Sequence, residues 1–228
     1  MAFKGGTALK RCYFGDYRFS EDLDFTLVGP LSFEEVVQGL IPTYAAIREA
    51  SGIEFAFDRQ DKQSHVNSYT LYLKYTGPLP AGGSVKVDVT IREELVFPLQ
   101  DRPVLRGYDE FSDLPEDRPV RVYSLDEIAT EKTVALIDRA RNEPRDLYDL
   151  WYLVTHEDID LASLLPAIQR KLTFRGKSTT GLQQAILNKE ARLLPLWLAR
   201  LSAQMTTLPS FDEVFREVRR ALRQADLP

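Results

Sequence analysis

The sequence predicts an α+β protein in which a β-sheet with flanking helices is followed by a helical C-terminal region. Short segments that alternate apolar and polar residues fill the first half of the 228-residue chain. In the second half, apolar residues instead recur every three or four positions. A stretch rich in proline and aspartate over 98–119 lies between them. We therefore expect a core domain over 1–122 and a helical domain over 123–228.

The first half supplies the predicted strands. A very short strand leads into the pair Gly5-Gly6, and a short helix follows over 8–14. Apolar residues at helical spacing predict a helix over 32–51, which Pro42 is expected to kink or split. The remaining strands are predicted over 22–28, 53–57, 68–76, 84–91 and 120–123, with GPLPAGG as the hairpin connection after 68–76.

The second half has strong helix-start signals. Ser124 with Glu127, and Ser210 with Glu213, match the capping box that opens a helix. Pro144 interrupts the helical pattern and begins a new segment. Helices are therefore predicted over 125–140, 145–155, 160–172, 180–203 and 210–225.

Composition excludes several classes of protein. The single cysteine, Cys12, has no partner for an internal disulfide and cannot form a cysteine-rich zinc site. No apolar run is long enough to span a membrane, and the start MAFKGG lacks the apolar segment of a secretory signal. We therefore expect a cytoplasmic protein with no membrane partner. The net charge of −5 argues weakly against a general nucleic-acid binder.

Three aspartates carry the chemistry of the predicted strands. Asp22 and Asp24 are two residues apart, so on a strand they project from the same face. Asp88 lies in VKVDVTI, where the valines take the opposite face. Carboxylates gathered on neighbouring strands repel one another unless a cation lies among them, and Mg²⁺ prefers such oxygen ligands. Taken singly, each aspartate is more simply explained as a solvated strand residue.

Gly5, Gly6 and Thr7 precede this strand. Two glycines at a helix N-terminus let backbone N–H groups approach a phosphate closely, and Thr7 can add a hydroxyl. A tight strand-to-helix turn without a ligand is a common alternative. The order of the elements, a glycine turn followed by paired aspartates and a third aspartate, is typical of a phosphate site beside a divalent-metal site.

A lysine and an aspartate follow on the predicted helices. Lys132 falls on the apolar face of its helix, so its ammonium needs a negative partner. That partner is either a bound triphosphate or Asp146, which shares a helical face with Asp149. The two explanations are equally acceptable from the sequence, and both can hold. Arg145 is either a phosphate ligand or a surface residue.

The three segments FKGGTALKRCYFGDYRFSEDLDF, VKVDV and EKTVALIDRARNEPRDLYDL together resemble the AbiEii/AbiGii toxin-like nucleotidyltransferases, a family of the polymerase-beta-like nucleotidyltransferase superfamily. The matching segments lie between Phe3 and about Tyr152. The resemblance implies a nucleotidyltransferase-type mixed sheet and a helical C-terminal region. It also implies Mg²⁺-dependent transfer of a nucleotide from an NTP, with release of pyrophosphate, by the toxin of a toxin–antitoxin or phage-defence system.

The resemblance also implies partners and site residues. Some relatives add nucleotides to the 3′ end of tRNA, so the implied partners are NTP, tRNA and a cognate antitoxin. By position, the implied metal ligands are Asp22, Asp24 and Asp88, the phosphate turn is Gly5, Gly6 and Thr7, and the later catalytic pair is Lys132 and Asp146.

Two alternatives come from other classes: a non-catalytic NTP-binding or partner-binding module, and a nucleotidyltransferase that modifies a small molecule such as an antibiotic. The basic segment QRKLTFRGK and the arginines of the last helix are candidate RNA contacts, with a solvated helix face as the alternative.

Overall fold

A computed structural model describes residues 1–61, 67–77, 81–107 and 118–228 of the chain. Two compact units are present. The sheet unit comprises Met1–Glu93 and Leu99–Val122, and the helical unit comprises Glu94–Pro98 and Tyr123–Pro228. Part of the predicted hairpin connection GPLPAGG lies outside the described residues.

The sheet unit is built on one mixed seven-stranded sheet with the order β3-β4-β5-β2-β1-β7-β6. Strand β2 runs antiparallel to β1 and parallel to β5, while β1 runs parallel to β7. The strands are β1 Ala2–Lys4, β2 Leu23–Thr26, β3 Glu54–Gln60, β4 Ser68–Thr76, β5 Gly83–Thr90, β6 Gln100–Arg102 and β7 Val120–Val122. The predicted α+β class with a mixed sheet is confirmed. Strand β6 was not predicted, because its three residues carry no alternation of apolar and polar side chains.

One face of the sheet is apolar and packs against a helix. Helix α1, Gly5–Ala8, follows β1 and continues as a π-helical turn over Leu9–Tyr13. Helix α2, Phe33–Ser51, covers the apolar face of the sheet. The core between α2 and the sheet contains Leu27, Val36, Leu71, Leu73, Val87 and Val89. Because the alternating valines of β5 enter this core, the polar residues between them face the other side.

Helix α2 runs without a break through Pro42. The expected split is therefore wrong. The missing N–H of Pro42 removes one helical hydrogen bond, but Val36 and partly buried Leu40 anchor the helix to the sheet before the proline. Ser32 also closes a full capping box with Glu35 at its start, which the sequence analysis did not identify.

The helical unit holds the remaining helices of the described residues. They are α3 Leu125–Ile137, α4 Pro144–His156, α5 Leu161–Phe174, α6 Leu182–Leu187, α7 Glu190–Leu193, α8 Trp197–Leu201 and α9 Phe211–Gln224. The single helix predicted over 180–203 is wrong. Its sequence forms three short α-helices and two 3₁₀ turns. One of these turns, Leu194–Leu196, contains Pro195, which cannot donate a helical hydrogen bond.

The predicted caps of α3 and α9 are half right. The side chain of Ser124 accepts from the N–H of Glu127, and that of Ser210 accepts from the N–H of Glu213. The side chain of Glu127 does not complete the box. Its Oε2 instead accepts from the N–H groups of Val96 and Phe97, which fastens that segment to α3.

Candidate active site

The polar face of the sheet brings two of the predicted aspartates side by side. In the parallel pair of β2 and β5, Asp24 lies directly beside Asp88, and Thr26 lies beside Thr90. Lys4 on β1 is the register partner of Asp24, and its Nζ donates to Oγ1 of Thr90 over 2.8 Å. Charged and hydroxyl groups from three neighbouring strands therefore share one face.

The glycine turn packs directly onto one of these carboxylates. Gly5 has a φ of +78°, which an L side chain rarely adopts. A Cβ at this position would lie 2.5 Å from Oδ2 of Asp24, closer than atoms of this kind can approach. Glycine is thus needed at position 5 both for its backbone conformation and for the contact. The structure brings together the predicted phosphate turn and the predicted carboxylate.

Thr7 ties this turn to the start of β2. Its Oγ1 donates to the carbonyl oxygen of Asp22 over 2.5 Å and lies 2.9 Å from Oγ of Ser20. Only 5% of Thr7 is exposed. The hydroxyl that the sequence offered to a phosphate is therefore engaged within the protein, where it fixes the backbone that carries Asp22.

Arg18 is a residue of this region that the sequence analysis missed. Its side chain packs against the Cα of Gly6, at the place where a larger residue would carry its Cβ. Arg18 is 3% exposed, and its Nη1 donates to the carbonyl of Phe19. A side chain at position 6 would therefore displace this buried guanidinium. In the sequence, only its position four residues before Asp22, in RFSEDLD, indicated that Arg18 belongs to this region.

Asp88 is held by two side chains from its own strand and the neighbouring one. Oγ1 of Thr70 donates to Oδ1 of Asp88 over 2.5 Å, and Nζ of Lys86 lies 2.5 Å from Oδ2. Both carboxylate oxygens of Asp88 therefore have donors within the sheet. The sequence placed Lys86 on the same face as Asp88, but assigned it no role.

Lys86 experiences all three aspartates. Partial burial would by itself lower the pKa of Lys86, but the hydrogen bond and charge of Asp88 and the charges of Asp22 and Asp24 raise it above its usual value. The ammonium of Lys86 is thus stabilised by these carboxylates, above all by Asp88.

The donor chemistry of this face fits a hard divalent cation that also binds substrate. Asp24 and Asp88 offer carboxylate oxygens, and Asp24 lies against the glycine turn. Within the described residues, no three His, Cys, Asp or Glu side chains are arranged to hold a metal ion by themselves. Mg²⁺ is commonly bound by one or two carboxylates, with water and substrate phosphates completing its coordination. The arrangement fits that mode, and Asp22, Asp24 and Asp88 stay predicted ligands.

The helical unit contains a second group of predicted residues. Lys132 on α3 forms ion pairs with two aspartates of α4, at 2.9 Å to Asp146 and 2.6 Å to Asp149. The aspartates are 2% and 0% exposed, and the side chain of Lys132 is 11% exposed. The structure therefore shows the interhelical ion pair that was one of the two explanations for Lys132. Asp149 was visible in the sequence from its spacing to Asp146.

Asp146 also receives a second cation. Arg141 donates to both carboxylate oxygens of Asp146, with its Nε 2.5 Å from Oδ2. Burial alone would raise the pKa of Asp146, but the charges of Lys132 and Arg141 outweigh burial and hold the pKa below its usual value. The loop that carries Arg141 is itself fixed by Lys189, whose Nζ lies 2.5 Å from the carbonyl oxygen of Arg141. Neither Arg141 nor Lys189 was singled out in the sequence.

Arg145 has a neighbouring acid. Its Nη2 lies 3.7 Å from Oε2 of Glu143, in a pair that is about one third exposed. The structure therefore gives Arg145 a local surface pair, and its role as a phosphate ligand stays a prediction.

The basic segment QRKLTFRGK is not the open cationic strip that the sequence offered as an RNA contact. Lys171 is fully buried and lies between Glu127 and Glu131. Arg175 donates to both oxygens of Glu131. The remaining cations pair with acids as well, Arg170 with Glu94 and Lys177 with Asp138. The cations of this segment are therefore paired with acids of the helical unit, and its role as an RNA contact stays a prediction.

Comparisons with known proteins agree with one another. The sequence model of a family described as "Nucleotidyl transferase AbiEii toxin, Type IV TA system" matches residues 1–221. The solved structure of MenT4, a nucleotidyltransferase toxin from Mycobacterium tuberculosis, is similar in fold with a TM-score of 0.64. The two sequences are 18% identical, and the alignment covers 99% of this chain and 75% of the MenT4 chain. No curated protein matches significantly. Among the described residues, no helix is long and apolar enough to cross a membrane.

Proposed function

This chain belongs to the AbiEii nucleotidyltransferase toxin family and is a nucleotidyltransferase toxin of a type IV toxin–antitoxin system, and from this premise we propose that it transfers a nucleotide from an NTP to the 3′ end of tRNA. The oxygen of the acceptor hydroxyl forms a bond to the α-phosphorus of the NTP, the proton of the hydroxyl passes to water, and the bond to pyrophosphate breaks. The implied partners are the NTP, a tRNA acceptor and a cognate antitoxin.

One observation carries this proposal: Oδ2 of Asp24 lies 2.5 Å from the point where a side chain at Gly5 would begin. A carboxylate next to a backbone turn would repel a polyphosphate unless a cation lay between them. The same juxtaposition becomes favourable when the NTP arrives with Mg²⁺, because the carboxylate and the phosphate oxygens can then share it. The contact between Asp24 and Gly5 therefore supports a metal–nucleotide substrate better than a free anion.

The residues of the chain have distinct proposed roles. The backbone N–H groups of Gly5, Gly6 and Thr7 hold the triphosphate, and the Thr7 hydroxyl fixes this turn to the backbone of Asp22. Asp22 and Asp24 are the proposed ligands of Mg²⁺, with Asp88 as the third carboxylate. When bound, Mg²⁺ would neutralise charge on the phosphates and on the departing pyrophosphate. Most of the catalysis is then positioning and charge neutralisation.

Lys132 and Arg145 keep a proposed role as cations for substrate phosphate, with Asp146 as the partner that orients Lys132. Nζ of Lys132 is fixed between two buried carboxylates.

The decisive experiment incubates the protein with each labelled NTP and total tRNA, and compares wild type with Asp24→Ala. We expect label to enter tRNA with wild type, with a loss of about a hundredfold or more in the variant. Glu34→Ala is the matched control, because Glu34 is an exposed acid on α2, away from the polar face of the sheet.

The other outcomes are also informative. Binding of NTP without release of pyrophosphate would support the non-catalytic alternative. Pyrophosphate release with a small-molecule acceptor but not with tRNA would support the antibiotic-type alternative. An Asp22→Ala/Asp24→Ala double variant with full activity would contradict the proposed site.

A further inference from the structure

The polar face of the sheet carries a cation of its own at the place where the proposed function needs a metal ion. Nζ of Lys86 is 2.5 Å from Oδ2 of Asp88. The other oxygen of Asp88 accepts from Thr70. An ion that binds Asp88 must therefore displace a donor that is already in contact with it.

We propose that Lys86 is the internal counter-ion of Asp88 and competes with a second divalent cation for that carboxylate. This inference rests on the proposed function, because it concerns how the same aspartates load metal. It predicts that Asp88 binds a divalent cation only when the ammonium of Lys86 gives way.

Two observations support an exchange of this kind. First, the pair is not deeply buried: the side chains of Lys86 and Asp88 are 39% and 27% exposed, so the ammonium can move into water at modest cost. Second, the register of β2 and β5 places Asp88 beside Asp24. When the ammonium of Lys86 moves away, two negative charges are left side by side, and this favours binding of another cation.

Lysine is suited to this task because it is flexible as well as charged. Its four-carbon stem lets the ammonium swing away while its backbone remains in β5. The adjacent Thr70 would keep Asp88 in the same orientation during the exchange, since its hydroxyl donates to the oxygen that Lys86 does not contact. A divalent cation could therefore bind Asp88 in exchange for the ammonium of Lys86, with no change in the backbone of β5.

The test is a count of bound ions rather than an assay of activity. Purified protein is titrated with Mn²⁺, a spectroscopic substitute for Mg²⁺, and free Mn²⁺ is read by electron paramagnetic resonance. The variant Lys86→Gln removes the charge and keeps much of the stem. We expect it to bind the Asp88-dependent ion roughly tenfold more tightly than wild type, because a neighbouring positive charge is gone.

Controls make the result specific. Lys86→Arg keeps the charge and should bind as wild type does. Arg48→Gln also removes one positive charge from the sheet unit, but Arg48 pairs with Glu54 at the surface, so Mn²⁺ binding should not change. In Lys86→Gln/Asp88→Asn the gain should disappear. Circular dichroism checks that every variant is folded.

Each result has a distinct meaning. Equal Mn²⁺ binding by wild type and Lys86→Gln overturns the inference, and so does a gain that survives Asp88→Asn. If Lys86→Gln does not fold, Lys86→Met is measured in its place against the same criteria. Loss of Mn²⁺ binding in Asp24→Asn supports the metal pair of the proposed function whatever Lys86 does. The failure of one proposal therefore does not conceal the failure of the other.

Discussion

Two acidic clusters, one in each unit, are built from the same residue types but are compensated differently. In the helical unit, Asp146 and Asp149 are almost completely buried and share Lys132, and Asp146 also binds Arg141. On the sheet face, Asp88 pairs with Lys86 in a setting where both side chains are about one third exposed. The first cluster is closed to solvent, whereas the second is open to it.

The difference separates a structural role from a chemical one. A buried carboxylate must be neutralised permanently, since an uncompensated buried charge is very costly. A partly exposed carboxylate can exchange one cation for another, because water supports the intermediate states. We therefore expect the sheet cluster to be the one that exchanges ions in the proposed function, and the helical cluster to fix the orientation of α3 against α4 whether or not Lys132 also contacts substrate. The predictions below test this division.

The largest expected effect is on the stability of the helical unit. Lys132→Met should lower its free energy of unfolding by about 3 kcal/mol or more, because Asp149, 0% exposed, loses a cation 2.6 Å away. Both tryptophans, Trp151 and Trp197, lie in this unit, so fluorescence during urea titration reports its unfolding. A loss below about 1 kcal/mol would contradict the structural role of Lys132.

Lys177→Met is the matched control for Lys132→Met. Lys177 also pairs with an aspartate of the same unit, Asp138, but the two side chains are 38% and 34% exposed. Exposed pairs of this kind contribute about 0–1 kcal/mol. The contrast between two identical substitutions therefore measures burial. If both variants lose equal stability, the distinction between closed and open clusters fails in this unit.

The second prediction concerns the turn of the sheet unit. Gly5→Ala places a Cβ 2.5 Å from Oδ2 of Asp24, so either the turn or the carboxylate must move. We expect about a hundredfold less nucleotide transfer, because a displacement of about 1 Å at reacting groups has an effect of that size. The measurement is the initial rate with labelled NTP.

Gly52→Ala separates the contact from backbone strain. Gly52 has a φ of +70°, close to the +78° of Gly5, but a Cβ there would have no neighbour within 4 Å. Both alanine variants should lose about 1–2 kcal/mol of stability from the left-handed backbone. Only Gly5→Ala should lose activity. Equal activities in the two variants would show that the contact between position 5 and Asp24 does not affect the rate of nucleotide transfer.

Local patterns in the sequence were enough to predict on which face of its strand Asp88 lies. Alternation in VKVDVTI placed Asp88 opposite the core valines, and the structure has Val87 and Val89 buried and Val85 partly buried. The neighbouring position of Asp24 and Asp88 depends on a parallel pairing between residues more than sixty positions apart. Local periodicity carries no information on such pairing, so only the resemblance to a known family connected the segments.

The remaining features depend on partners that are distant in sequence. Lys171 looked like part of a basic strip, but Glu127 and Glu131 of another helix neutralise it. The periodicity over 180–203 concealed a break near Lys189, whose Nζ binds the carbonyl oxygens of Asp138 and Arg141. A side chain bound to groups about fifty positions away overrides helix propensity, and propensity alone is a weak predictor for that reason.

The smallest predicted effect is a difference in the pH dependence of stability. Lys132 and Arg141 hold the pKa of Asp146 below the 3.8 of a free aspartate. Between 3.8 and the lowered value, the unfolded state binds a proton that the folded state does not, so folding stability falls as the pH falls. Asp146→Asn removes this contribution and is less stable at neutral pH, because its two cations lose their carboxylate. The urea midpoints of the wild type and the variant, followed by tryptophan fluorescence from pH 6 to pH 3, should therefore converge as the pH decreases. Parallel curves would mean that Asp146 releases its proton equally easily in both states, which would remove the electrostatic basis for calling its cluster closed.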